Sequence, residues 1–225
     1  MKDFLSFLKK KKKKEDIFFD SAVYWEQRYV QGGNSGAGSY NRLAEFKAWV
    51  LNEFCTKNNI KKIIEFGCGD GNQLKLSQYN KYIGLDVSKK SIELCLDIFK
   101  GDSNKEFYVL GSVDLNDDKF KGDLVISLDV IYHLIEDNIF ENYMNNLFAS
   151  SNKFVIIYSS NYDSLSVAIH VKHRNFANFV KINFPDFKQI DFIKNKYPFD
   201  ESDPDNTSFA DFYIYKKINY IANEK

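Results

Sequence analysis

Cysteine, histidine, net charge and long apolar runs are all scarce in this 225-residue chain. Cys55, Cys68 and Cys95 are too few and too irregularly spaced for a disulfide framework or a zinc knuckle, which fits a reduced, cytoplasmic setting. The histidines number three, His133, His170 and His173, and no further Cys or His stands near enough to complete a metal site, so no metal is expected. No apolar run approaches the roughly 20 residues of a membrane span. The patch Phe4, Leu5, Phe7, Leu8 is far shorter than a signal-peptide core, and its lysines follow rather than precede it. Neither secretion nor stable membrane insertion is expected. No internal repeat is present.

The formal net charge is zero, from 31 basic and 31 acidic residues, and this hides an uneven distribution. Residues 1–14 hold seven lysines against Asp3 alone, so the remaining 211 residues carry a net charge of −6. A polyanion-binding groove across an acidic body is disfavoured, and nucleic acid is not an expected partner. The 1–14 arm is either solvated or a weak contact for an anionic membrane surface or a partner. Hydrophobic content of 44% and charged content of 28% are those of a folded protein.

Beyond the arm, 15–58 reads as a helical and Gly-rich segment and 59–225 as the main domain. A short helix or arm over 15–30 precedes QGGNSGAGS at 31–39, whose four glycines make a flexible loop, either a linker or a lid. Leu43, Phe46, Trp49, Val50 and Phe54 then fall at helical spacing over 40–55. Short apolar runs at 61–66, 82–86, 107–110, 123–128 and 154–159 alternate with candidate helices at 72–77, 88–99 and 135–148. That alternation predicts an α/β, Rossmann-like doubly wound fold: a mostly parallel seven-stranded sheet with helices on both faces. A helix over 175–183 and two β runs, 188–195 and 212–218, predict an antiparallel hairpin at one edge.

The segment IIEFGCGDGNQL (63–74) carries the most chemistry. Gly67, Gly69 and Gly71 alternate directly after a strand, where small residues let a backbone approach a ligand. A dinucleotide fingerprint requires a further glycine where Asn72 stands. Glu65 and Asp70 would repel a phosphate and attract a ligand carrying a sulfonium and an ammonium group. Asp70 is also a candidate helix cap. Asp86 ends the next strand, where an acidic residue accepts hydrogen bonds from ribose hydroxyls.

The series EFGCGDG, GLD and DLVISLDVIYHL resembles that of class I S-adenosylmethionine (SAM) dependent methyltransferases over residues 61–160. The flanks YWEQRY, GGNSGAGSYNRLAEFKA, YSSN and HVKHR are similar to a subgroup from bacterial surface-polysaccharide (capsule and O-antigen) clusters. The resemblance implies that Gly67, Cys68, Gly69 and Gly71 line the methionine part of SAM, with Glu65 holding the turn or the ammonium group. It implies that Asp86 takes the ribose hydroxyls, that Val87 packs on the adenine and that Ser112 and Val113 lie at the adenine edge. Leu128 and Asp129 would stand at the mouth of the methyl-transfer pocket, and Trp25 and Arg28 would cover the cofactor. Trp25 and Tyr29 are equally well read as packing aromatics.

An alcohol acceptor must lose a proton, and a base working near pH 7 is most readily a histidine. His133, one step past the implied SAM mouth, is the first candidate for base or substrate-orienting residue, against a packed helix-start histidine. His170 and Asp129 complete the catalytic set, and Tyr132, His173 and Arg174 are the acceptor-binding candidates. The cluster from His170 to Arg174 reads either as recognition of phosphate or another anion, or as a solvated basic helix start. The resulting expectation is a SAM-dependent O-methyltransferase acting on a small anionic precursor of a surface glycan, either a sugar nucleotide or a phosphorylated or phosphoramidate-type compound. The alternatives are an NAD-dependent oxidoreductase on the same fold and a SAM-binding protein without turnover.

Overall fold

A computed structural model describes residues 20–165 and 168–218; the lysine-rich arm lies outside them. Helix α1 (Ser21–Val30) starts at Asp20, whose Oδ1 accepts a hydrogen bond from the Val23 N–H at 2.9 Å. Helix α2 (Asn41–Lys57) buries Leu43, Ala44, Phe46, Val50 and Leu51, and Lys47 with them. Trp49, expected on this face, is 63% exposed: it stands just past the edge of the stripe, its ring against Phe46 at 6.5 Å between centroids.

The chain then lays down β1 (Lys62–Phe66), β2 (Lys81–Asp86), α3 (Lys89–Ile98), β3 (Lys105–Val109), β4 (Gly122–Leu128), α4 (Asp137–Ala149) and β5 (Ser151–Ser159). A two-residue ladder, β6 (Ser164–Leu165) with β7 (Lys172–His173), interrupts the loop before α5 (Phe176–Asn183). Strands β8 (Phe187–Ile193) and β9 (Asp211–Lys217) complete a seven-stranded sheet of order β3-β2-β1-β4-β5-β9-β8. The first five strands pair in parallel, and β9 runs antiparallel to both β5 and β8. The architecture is the one the alternation of runs predicts.

Both sheet faces are covered because alternate residues of the central strands enter different cores. Ile63, Leu124, Ile126, Phe154 and Ile156 join α2 and α3 residues on one side, while Ile64, Val125, Val155 and Ile157 meet Phe140, Met144 and Leu147 of α4 on the other. Each such burial contributes about 1.5–3 kcal/mol, which explains why these runs are nearly continuous in Ile, Val, Leu and Phe. The helix expected at 72–77 is a single 3₁₀ turn, Gln73–Leu76. Asn52 of α2 accepts from the Gln78 N–H and donates to the Leu76 carbonyl, turning the chain toward β2 before a second turn can form. The sheet order reverses between β1 and β4, and the crevice at the carboxyl ends of these strands is where open α/β sheets bind ligands.

Candidate active site

The turn after β1 is closed by backbone: Gly67 and Cys68 N–H groups both donate to the Leu85 carbonyl at the end of β2. Gly67 and Gly69 have φ of 82° and 57°, and a Cβ at either would stand 2.4 Å from Val130 Cγ2 or 2.2 Å from Ser35 Oγ. Glycine is therefore required twice, by conformation and by the approach of neighbouring chain. Asp86 Oδ2 accepts from the Gly69 N–H and Oδ1 from the Ser88 N–H, both at 2.9 Å, so the carboxylate is fixed under the turn. Burial raises the Asp86 pKa against the pull of those donors. Burial also pushes Glu65 up to about 7, opposed by the Tyr82 hydroxyl that donates to it at 2.5 Å and by nearby Lys47.

Asp70 does not cap a helix. Its Oδ2 accepts from the Ser35 N–H (2.9 Å) and the Tyr40 hydroxyl (2.8 Å), its Oδ1 accepts from the Asn72 N–H, and its own N–H donates to Ser35 Oγ. Ser35 Oγ also pairs with the Tyr29 hydroxyl at 2.9 Å. The Gly-rich loop is thereby latched onto the glycine turn. Helix α1 is strapped across the crevice at two further points. Glu26 accepts from Ser88 Oγ (2.6 Å) and the Lys90 N–H, and Glu136 accepts from the Ser21 N–H and hydroxyl.

Beneath this cover lies a cavity of about 720 Å³, within the range of small-ligand sites. Of the residues singled out from sequence, Glu65, Gly67, Cys68 and Gly69 line it from β1, and Asp86 and Val87 from β2. Val113 lines it from the loop after β3, Leu128, Asp129 and His133 from β4 and beyond, and Trp25 from α1. Gly71, Arg28, Ser112, Tyr132, His170, His173 and Arg174 are not in the lining. Arg28 donates through Nε to the Asn34 carbonyl at 2.6 Å with its guanidinium 5.6 Å from the Trp25 ring, and Ser112 Oγ donates to the Val109 carbonyl.

Tyr132 and His170 act on lining residues at one remove. The Tyr132 hydroxyl donates to Asp129 Oδ1 at 2.9 Å. His133 Nδ1 lies 2.8 Å from the His170 carbonyl, and because a carbonyl only accepts, Nδ1 carries the proton and Nε2 is left with a lone pair. Burial lowers the His133 pKa to about 4, so the ring is neutral at physiological pH. Trp25 packs edge-on against it at 4.9 Å and His170 stacks on it at 5.5 Å.

The expected anion-recognising cluster is engaged elsewhere. Arg174 Nη1 donates to the Leu134 carbonyl, its Nη2 donates to the Ile135 carbonyl and to Asp137, and Lys172 Nζ reaches the same Asp137 oxygen at 2.6 Å. His173 Nδ1 pairs with Ser160 Oγ at 2.7 Å. Lys172, His173 and Arg174 line a separate depression beside α5, not the cavity under α1. Here a charge pattern legible in sequence serves to tie the β6–β7 segment to the start of α4.

Two further residues of the site were not singled out from sequence, although Lys47 stands in GGNSGAGSYNRLAEFKA and Gln73 in IIEFGCGDGNQL. Lys47 is fully buried and its Nζ lies 2.5 Å from Asp129 Oδ2 and 5.3 Å from the Tyr158 ring. Gln73 is buried in the 3₁₀ turn. The signal for Lys47 was its place on the apolar stripe of α2, one helical turn from Leu43 and from Leu51. Asp129 itself has φ 60°, a left-handed conformation that costs an aspartate about 1 kcal/mol and sets its carboxylate between Lys47 and Tyr132. Among the described residues no cluster of His, Cys, Asp and Glu is placed to hold a metal ion, and no helix is long and apolar enough to cross a membrane.

No family model matches the sequence. A tRNA (carboxymethyluridine(34)-5-O)-methyltransferase from Arabidopsis thaliana is 34% identical over 76 residues, 34% of this chain and 18% of the relative. The chain thus spans under a fifth of the curated relative that it matches. Solved structures agree over far more of the chain. The N-methyltransferase NodS from Bradyrhizobium japonicum, in complex with S-adenosyl-L-homocysteine, superposes with a TM-score of 0.66 at 13% identity, covering 88% of this chain and 99% of that one. Magnesium protoporphyrin IX methyltransferase from Synechocystis, with the same compound bound, gives 0.63 at 14% identity over 88% and 100%. A SAM-dependent methyltransferase from Anabaena variabilis gives 0.60 at 17% identity over 89% and 96%. With its strand order, its glycine turn and these superpositions together, the chain has the class I SAM-dependent methyltransferase fold.

Proposed function

We propose that this protein transfers the methyl group of SAM to an oxygen of a small acceptor. The carrying observation is the cavity at the sheet's switch point, where a glycine turn that excludes any Cβ meets a buried, backbone-anchored carboxylate, Asp86. The residues fit the cofactor. Asp86 keeps unused lone pairs for ribose hydroxyls, Val87 and Val113 offer apolar surface for adenine, and Glu65 and Asp129 set carboxyl groups beside the path of a ligand that carries a positive sulfonium. When bound, SAM supplies a methyl group activated by its positive sulfur.

The chain's own part is alignment, exclusion of water and handling of one proton. Trp25 and the latched loop cover the crevice, giving residues 20–58 the role of a lid. His133 turns an unprotonated Nε2 to the acceptor hydroxyl as hydrogen-bond acceptor or base, while the His170 carbonyl holds the tautomer. Asp129, fixed by Lys47 and Tyr132, orients groups at the same mouth.

For the acceptor, the polysaccharide-cluster resemblance of the flanks supports a small anionic glycan precursor. Lys172 and Arg174 already face Asp137, so such an acceptor would compete with that carboxylate. An RNA acceptor is the second reading, favoured by the name of the curated relative and opposed by the −6 charge of residues 15–225. Incubation with SAM and a panel of nucleotide sugars, phosphorylated small molecules and tRNA, followed by mass spectrometry, tests both. A one-methyl gain on a small molecule supports the reading; a gain confined to tRNA replaces its acceptor, and no gain on any member contradicts it.

A further inference from the structure

Two buried polar groups in the cavity wall lack the partners that burial normally demands. Lys47, fully buried, has Asp129 Oδ2 as its only hydrogen-bond acceptor among the described residues, fewer than an ammonium group's donors require. Gln73 donates through Nε2 to the Ala44 carbonyl at 3.0 Å, which fixes the orientation of its amide, and its Oε1 is buried with no partner. A lysine kept only to fill space would be replaced by an apolar chain at little cost, and an orphaned amide oxygen is destabilising.

Both residues line the cavity on its β1 and β4 side, together with Glu65 and Asp129. Asp86, Val87 and Val113 line the β2 and β3 side. A ligand whose diol sits on Asp86 therefore extends toward Lys47 and Gln73 with its other end. A spare ammonium donor beside a spare amide acceptor is complementary to a zwitterionic amino acid, whose carboxylate accepts and whose ammonium donates.

We propose that Lys47 and Gln73 receive the amino-acid end of SAM, Lys47 its carboxylate and Gln73 its ammonium. This assignment rests on the cofactor reading above. In it Asp129 is a positioning residue, holding Lys47 in place with Tyr132 on its second oxygen.

Calorimetric titration of the full chain with three ligands tests the assignment without turnover. The ligands are S-adenosylhomocysteine, its decarboxylated analogue S-adenosyl-3-thiopropylamine, and 5′-methylthioadenosine, which lacks both charged groups. Lys47→Met should weaken S-adenosylhomocysteine about tenfold or more and leave the decarboxylated analogue near its wild-type affinity. Gln73→Leu should weaken both amine-bearing ligands and spare 5′-methylthioadenosine. Should Lys47→Met fail to fold around an unpaired Asp129, the Lys47→Met/Asp129→Asn double variant removes both charges and is read by the same ligand ratios. Equal weakening of all three ligands, or unchanged S-adenosylhomocysteine affinity, overturns the assignment and leaves the cofactor reading standing. Wild-type protein that binds none of the three overturns the cofactor reading and this assignment with it.

Discussion

His133 illustrates how burial and one hydrogen bond set a side chain's chemistry. Its proton is held on Nδ1 by the His170 carbonyl, and burial disfavours the imidazolium. The neutral form is the competent one, so kcat at saturating SAM should stay level as pH falls from 8 to near 5 and drop only toward about 4, whereas protonation of Glu65 near 7 acts on SAM binding. An acid limb centred near the ordinary imidazole value of about 6.5 would show that another group, or a solvated His133, governs the rate. The same depressed pKa has a stability consequence: the unfolded chain takes up a proton first, so stability contributed by neutral His133 is complete above about 6.5 and declines toward about 4. His133→Gln should lower kcat roughly a hundredfold or more and leave S-adenosylhomocysteine affinity unchanged. At this scale the motif residues Glu65, Gly67, Gly69 and Asp86 were legible because each has a fixed offset from a strand end. Lys47 and Gln73 were not, because a polar residue inside a buried stretch shows only as an exception to the pattern, and what it faces is set by the fold.

At the scale of elements, the Gly-rich loop is held by polar contacts rather than by apolar packing, since none of Ala37–Ser39 is buried while Ser35 and Tyr40 both reach Asp70. Asp70→Ala removes both contacts and should cost about 1–3 kcal/mol in urea unfolding. It should also speed proteolytic cleavage within 31–40. Unchanged cleavage would mean that α1 and α2 alone hold the loop. The sequence placed a glycine loop before the sheet, but its latch joins residues 35 positions apart, and such pairing has no local signal. The partner of the cationic run 170–174 was illegible for a related reason: Asp137, which pairs with Lys172 and Arg174, lies on a different element. The central strands β1, β2, β4 and β5 were legible because two-sided burial writes itself as apolar runs. The 72–77 helix was not, because Asn52 of α2 ends it from outside the segment.

For the whole molecule, the zero net charge separates into a basic arm and an acidic body that contains the cavity. Removal of residues 1–14 should leave S-adenosylhomocysteine affinity within error of the full chain, whereas a large loss would assign the arm to the site. The central claim is that the crevice at the β1–β4 reversal is a SAM site organised by Asp86. The most direct measurement is calorimetric titration of wild-type and Asp86→Ala protein with S-adenosylhomocysteine, with NAD as the competing ligand. The account predicts saturable binding of one S-adenosylhomocysteine per chain, weakened about tenfold or more by the substitution, and no binding of NAD. Full affinity in Asp86→Ala, or binding of NAD in place of S-adenosylhomocysteine, would contradict it.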